Sequence, residues 1–339
     1  MAAPTIGIES QGTSVRAMGA LAAAAEEAGL TAAWAPELYD RSATISVAEM
    51  CNRTERVTVG TAIAYGVGRS PLTLAAEARD LDEIADGRFV LGLGNGTRRM
   101  ISDWHGQDPE APALRIEELV PLLREIWNLH ERPVDHEGRF YRLRIAPTGD
   151  VAPPRRIPIY TAGVNPRMIE SAGRVADGLL GHALFTRDHI ESTVLPALRK
   201  GAEHAGRDVA DVAVATLVIA VVDDDADRAR REAAAQIAFY CSAKTYAGLL
   251  ESCGFGSEGE AIRAAFAAGD GAAMVAAVSD RMVDEIALAG TPAEVRERAR
   301  RYDGLLDHLI LYVPSYGVSP ERAVENANRI VTTMGEAGA

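Results

Sequence analysis

Three side chains able to move a proton stand at or just after the ends of short β-rich runs in this 339-residue chain: Glu9, Glu37 and His182. Burial raises a carboxyl pKa toward the range where it can serve as acid or base, and histidine titrates there already. Each carboxylate also has an ordinary reading, a solvated ion pair of Glu9 with Arg16 or of Glu37 with Arg41. A candidate anion site lies further along. Tyr160-Thr161-Ala162-Gly163-Val164-Asn165-Pro166-Arg167-Met168 has the make-up of a strand, a glycine turn and a proline-initiated helix. The first-turn amides of such a helix can hold a phosphate, with Arg167 as a charge-assisted donor. A simple capped helix explains the same residues, and both readings stay open. No Ser-His-Asp order and no His-x-x-x-His pair lies near a run end, so hydrolytic and metal chemistry have no support, and no metal site is expected.

These residues matter only if the runs that carry them converge. Eight β-rich runs alternate with longer amphipathic stretches, beginning near Thr5–Glu9, Thr31–Pro36, Val57–Ala64, Phe89–Gly94, Ile157–Ala162, Gly178–Gly181, Val212–Val222 and Asp307–Val313. That alternation predicts parallel strands with right-handed crossovers, and eight of them predict closure into a (β/α)₈ TIM barrel, an α/β fold. Ser70-Pro71, Asn165-Pro166, Thr291-Pro292 with Glu294, and Ser319-Pro320 each set a capping side chain before a proline, marking helix starts. Gly29 and Gly206 mark helix ends, and Asp86-Gly87 a tight turn.

In such a barrel, reacting groups sit after the carboxyl ends of the strands. That filter keeps Glu9, Glu37, Tyr65, Arg69, Asn95, the Gly163–Met168 turn and His182. His105 is kept as well, with packing and substrate contact both open.

Two segments exceed the minimal barrel within this one domain, 1–339. Glu131 to Pro154 predicts a peripheral hairpin. Asp223 to Gly290, Ala-rich and helical throughout, predicts a helical insertion between strands seven and eight. Its Phe239, Tyr240, Tyr246, Leu249 and Leu250 have the helical spacing of core packing. A doubly wound dinucleotide fold would need its glycine signature after the first strand, where Gly7-Ile8-Glu9-Ser10-Gln11-Gly12 does not supply it.

A net charge of −13 argues against nucleic-acid and anionic-membrane partners. Cys51, Cys241 and Cys253 suit a reducing compartment. With no leader and no apolar run long enough to span a bilayer, the expectation is a cytoplasmic protein.

The run from Ser70-Pro71 to Glu77, followed by Leu81-Asp82-Glu83-Ile84-Ala85-Asp86-Gly87-Arg88-Phe89-Val90-Leu91-Gly92-Leu93-Gly94, resembles the luciferase-like monooxygenases and their F420-dependent relatives. Arg115 to Trp127, and Pro158-Ile159-Tyr160 through Ala172-Gly173-Arg174-Val175-Ala176-Asp177-Gly178, resemble the next two blocks of that superfamily. The resemblance covers roughly the whole barrel. It implies a tricyclic cofactor across the barrel mouth, with coenzyme F420 favoured and FMN as the alternative. It further implies a non-prolyl cis peptide at Ala62-Ile63 behind the ring and contacts from Gly94 and Asn95. Ala162, Gly163, Asn165, Pro166, Arg167 and Met168 would hold the phosphate, and Gly181 with His182 would form the pair after strand six.

Relatives that oxidise a sugar phosphate carry an Asp-His pair and a Glu where this chain has Glu37-Leu38 and Asn95, which speaks against that substrate. The activity implied is hydride transfer between F420 and a small organic substrate, with Glu37 or His182 managing the proton and Asn95 bonding ring or substrate. Two other readings are kept. One is an FMN-dependent two-component monooxygenase, with a flavin reductase partner; the other is a non-catalytic flavin-binding protein. A homodimer fits the resemblance.

Overall fold

In the computed structural model, residues 3–9, 12, 14–151, 153 and 155–335 are described. The hairpin boundary at Pro154 and the Ser10-Gln11 step therefore lie outside the described residues. The eight barrel strands are Thr5–Glu9, Ala32–Ala35, Thr58–Thr61, Phe89–Gly94, Ile159–Ala162, Gly178–Gly181, Ala213–Val222 and His308–Tyr312. All pair in parallel, in sequence order. Ala213–Thr216 pairs with Gly178–Gly181, and Thr5–Glu9 pairs with His308–Tyr312, which closes the ring.

Side-chain alternation sorts each strand into two faces. Ile8, Leu179, Leu309 and Leu311 pack outward against the helices, while Ala32, Trp34, Val90, Tyr160, Leu180, Ala215 and Ile310 fill the interior. The interior holds two large rings only because glycines face them. A Cβ on Gly60 would come within 2.5 Å of the Trp34 ring, and one on Gly178 within 2.6 Å of the Tyr160 ring. At the amino-terminal end, the Tyr160 hydroxyl meets His308 Nε2 at 3.2 Å and His308 Nδ1 meets Thr5 Oγ1, so hydrogen-bonded side chains plug the barrel floor.

The expected helix punctuation is in place. Ser70, Asn165 and Thr291 each cap the helix that follows them, and Thr291 with Glu294 forms a reciprocal capping box.

Two expectations need correction. The third run does not continue unbroken from Val57 to Ala64. It pairs as Thr58–Thr61, breaks at a cis peptide between Ala62 and Ile63, and resumes as Ala64–Tyr65 against Leu93 and Gly94. The resemblance had placed a cis bond at this step. The insertion, in turn, is not helical throughout. After the helix Ala226–Cys241 and four shorter ones, it ends in a strand, Ala287–Gly290. The cause is the length of the seventh strand. On the side away from the eighth strand it pairs with the sixth only through Thr216, and Ala287–Gly290 covers the rest of that edge along Ile219–Val222. The expected hairpin forms from Val134–Glu137 and Arg142–Ile145.

Candidate functional site

Glu9 ends the first strand, opposite Trp34 on one side and Tyr312 on the other. It shares a face with Gly7, whose Cβ would lie 2.9 Å from Trp34 Nε1, so its side chain points into the barrel. The residue is 1% exposed, and neither carboxyl oxygen has a hydrogen-bond partner among the described residues. The pair with Arg16 does not form. With no donor to offset lost hydration, burial holds the carboxyl pKa well above its ordinary value. Tyr240 and Tyr312, hydrogen-bonded to each other, are close enough to feel its charge.

Glu37 is in the opposite situation. Arg69 grips both of its oxygens at 2.6 and 2.7 Å, and the Tyr65 amide donates to Oε2 at 2.7 Å. Arg69 also reaches Glu77 at 2.8 Å. The partner is Arg69 rather than Arg41, and the fork fixes the loop after the third strand rather than leaving a free base.

His182 follows the sixth strand. Its Nδ1 accepts from the Leu184 amide at 3.2 Å, which leaves the Nε2–H as the donor. The ring centroid lies 4.5 Å from that of Tyr246 and 4.9 Å from that of Tyr240. Burial among these rings lowers the His182 pKa to about 4, so the ring is neutral at physiological pH.

Asn95 is 5% exposed. Its amide donates to the Pro112 carbonyl at 3.0 Å, while its Oδ1 is an acceptor without a donor. Beside it, Gly94 leaves room that the tip of Ile63 fills: a Cβ there would meet Ile63 Cδ1 at 2.1 Å and Ala162 Cβ at 3.3 Å. The expected anion turn is built as a capped helix start, with Asn165 accepting from the Met168 amide at 3.0 Å. Pro166 opens that helix. Gly163 allows the turn to press on Ile169, whose amide nitrogen a Cβ would meet at 3.0 Å. Arg167 is bound through Nη1 to Glu117 at 2.6 Å and to Ser171 Oγ at 3.3 Å. Gly181 abuts Thr216 and Phe185, and it too has no room for a side chain.

The structure thus brings Glu9, Asn95, His182, the Ala62-Ile63 bulge and the Gly163 turn to one end of the barrel, with Glu37 bracing the rim. Sequence reasoning missed Tyr312. Extending the strand-end filter to the eighth strand would have found it, because it occupies the position that Glu9 occupies in the first. The insertion was read as packing, which holds for buried Leu249 and Leu250 but not for Tyr240 and Tyr246, which wall His182.

Gln236 was missed as well. It is fully buried on the insertion helix, and its Oε1 accepts from the Ser315 and Tyr316 amides, both at 3.0 Å. Gln236→Leu strands both amides and is expected to cost about 1–3 kcal/mol. It should also speed hydrogen exchange in residues 314–317; unchanged exchange there would assign the loop's order to the stack of Phe239 on Tyr316, whose ring centroids lie 4.8 Å apart.

A closed parallel barrel with a deep polar and aromatic mouth at the carboxyl ends of its strands is the architecture of the (β/α)₈ enzymes. Within that class the family is specific: the luciferase-like monooxygenase family model matches residues 2–309, and the chain belongs to this family. A 5,10-methylenetetrahydromethanopterin reductase from Methanolobus tindarius is 31% identical over 281 residues, covering 81% of this chain and 82% of that one. The coenzyme F420-dependent tetrahydromethanopterin reductase of Methanopyrus kandleri superposes with a TM-score of 0.79 at 25% identity, over 96% of this chain and 98% of that one. The FMN complex of the oxygenating constituent of 3,6-diketocamphane monooxygenase from Pseudomonas putida shares the fold, with a TM-score of 0.70 at 17% identity over 99% of each chain. An F420-dependent oxidoreductase is thus among the proteins it resembles in sequence and fold, and an FMN-binding monooxygenase shares its fold. Among the described residues, no helix is long and apolar enough to cross a membrane.

Proposed function

We propose that this chain is an F420-dependent oxidoreductase that transfers a hydride between the deazaflavin and a small organic substrate at the barrel mouth. The observation that carries the reading is Glu9: a carboxyl group buried without a partner among the described residues, its pKa raised by that burial, beside a cradle of small residues at the reactive end of the barrel. An unsatisfied buried acid costs stability and marks a functional site.

The residues present fit a tricyclic cofactor. The Ala62-Ile63 bulge, Gly94 and Ala162 keep one side of the mouth free of bulky side chains except Ile63. The donorless Oδ1 of Asn95 suits a ring N–H, and the Arg167 amide would be the helix-start donor left for a phosphate, since Pro166 has no N–H and Asn165 takes that of Met168. When bound, the deazaflavin would supply a ring carbon that gives or accepts a hydride. The chain's own residues do the rest. Glu9, whose pKa burial raises, can when protonated deliver a proton to or share it with a substrate heteroatom. The His182 Nε2–H offers a second hydrogen bond without adding charge. Tyr240 and Tyr312 keep water from the acid. Glu37 acts as a positioning residue, holding Arg69 and the Tyr65 loop. The F420-dependent relatives support the deazaflavin over FMN.

Titrating the apo-protein with F420 and, in parallel, FMN tests this. F420 is expected to bind at least tenfold more tightly and to raise the thermal midpoint. Preference for FMN would sink the cofactor assignment and direct the search to a reductase partner and oxygen uptake. Tight F420 binding with no hydride exchange over a broad substrate panel would favour a carrier protein.

A further inference from the structure

A cavity of about 580 Å³ opens at the amino-terminal end of the barrel strands, the end opposite the mouth. The helix Pro112–Trp127 finishes there and brings Arg124, Trp127 and Asn128 to it. The approach to the fifth strand brings Arg155, Arg156 and Ile157, and Asp177 stands just before the sixth. The volume suits a small organic molecule rather than a single ion. Three guanidinium groups and one carboxylate in one lining also run against the sign of a chain whose net charge is −13.

Most of this positive charge has a structural partner. Arg124 donates through Nη1 to the Val175 carbonyl at 2.8 Å and through Nη2 to Asp177 Oδ2 at 2.9 Å, and the same Oδ2 accepts from the Ile159 amide at 2.9 Å. Arg155 donates through Nη1 to the carbonyl and to Oδ2 of Asp82, at 3.3 and 3.2 Å, and its Nη2 stands 3.8 Å from Glu83. A guanidinium carries five N–H groups, so both arginines keep donors to spare. Arg207, close by, donates to the Gly173 and Ala176 carbonyls at 3.0 and 2.7 Å, and its burial together with the charge of Arg124 lowers its pKa. Helix carbonyls and carboxylates therefore account for Arg124, Arg155 and Arg207. They do not account for Arg156, which is exposed and has neither a hydrogen bond nor an ion pair among the described residues. Trp127 and Ile157, both buried, supply the apolar part of the same lining.

From this lining we propose a second binding site, separate from the mouth, for a small organic anion. Its acidic group lies against Arg156 and the spare N–H groups of Arg124 and Arg155, where paired N–H donors match a phosphate or carboxylate, and its apolar body lies against Trp127 and Ile157. Such a ligand bridges the end of the helix Pro112–Trp127 to the segment that enters the fifth strand. The assignment does not depend on which cofactor the mouth takes.

The test is calorimetric titration of the protein with three probes: 1-naphthyl phosphate, which has both the charge and the body, inorganic phosphate, which has the charge alone, and 1-naphthol, which has the body alone. 1-Naphthyl phosphate is expected to bind at least tenfold more tightly than either of the others and to slow hydrogen exchange in residues 155–159. Arg156→Ala should weaken it at least fivefold, and Arg156→Glu should abolish binding. Because Arg156 is exposed and bonded to nothing, both variants should keep the wild-type thermal midpoint, and the exchange pattern of the wild type locates the ligand without any variant. No binding of 1-naphthyl phosphate, equal binding of either partial probe, or undiminished binding by Arg156→Ala would overturn the site. Slowed exchange in the Gly163–Met168 turn in place of residues 155–159 would assign the anion to the mouth and overturn it as well.

Discussion

Glu9→Gln is expected to lower turnover by about 10²–10³-fold while F420 binding and fold are retained. The amide is nearly isosteric and can still donate a hydrogen bond, but it cannot give up a proton near neutral pH. The loss should therefore fall on kcat rather than on cofactor affinity. A pH series adds a readout that a merely structural residue would not move. Burial raises the Glu9 pKa, so ionisation is suppressed in the folded protein and available in the unfolded one. The stability contribution of the neutral acid is complete below the unfolded carboxyl pKa of about 4.3 and is lost as pH rises toward the folded value. Wild type should thus lose stability across that window relative to Glu9→Gln, the gap opening on the alkaline side. The wild-type rate should also fall on the alkaline side as Glu9 ionises, and that limb should vanish in the variant. His182, with its pKa near 4, should contribute no limb between pH 6 and 8. Wild-type turnover in Glu9→Gln would remove the acid from the mechanism; retained turnover with an unchanged alkaline limb would pass the proton to another group.

The barrel was legible in the sequence because its signals are local. Short β-rich runs pointed to the strands, and the serine-, asparagine- and threonine-proline pairs to the helix starts; each depends on neighbours in the chain. Glu9 and Glu37 show where that legibility ends. Both were placed correctly at strand ends, but their states are set by residues distant in sequence. Glu37 is paired with Arg69, 32 positions away, whereas the pKa of Glu9 is raised by burial between strands that bring Trp34 and Tyr312 opposite it, which no local pattern joins to it. Arg167 is likewise paired with Glu117, 50 positions back, a contact no local pattern announces. The strand Ala287–Gly290 was hidden differently. Its four small and apolar residues are indistinguishable from the preceding helix until the overlong seventh strand offers them an edge. The cis step at Ala62-Ile63 has no signature in residue type and was reached only through family resemblance.

Gly92 and Gly94, two residues apart on one strand, separate what holds the barrel from what serves the cofactor. A Cβ on Gly92 would sit 1.8 Å from the Thr61 carbonyl oxygen and 2.7 Å from Leu180 Cδ1. Thr61 cannot move aside, because its hydroxyl donates to the Gly92 carbonyl at 2.7 Å and accepts from the Gly92 amide at 2.9 Å, locking the strands together just before the bulge. Gly92→Ala is therefore expected to cost about 3 kcal/mol or more, read as a depressed thermal midpoint and poor soluble yield. A Cβ on Gly94 instead meets the tip of Ile63, a flexible end that can rotate away. Gly94→Ala should cost less than about 1.5 kcal/mol. The displaced Ile63 then has to turn within the mouth, where the cofactor ring would lie, so F420 affinity should fall at least tenfold. The double variant Gly94→Ala/Ile63→Ala removes the clash and should recover most of that affinity, a coupling that general destabilisation would not produce. If Gly94→Ala binds F420 as tightly as wild type does, the cradle lies elsewhere; if Gly92→Ala folds normally, the third and fourth strands have room that their hydrogen bonds do not suggest.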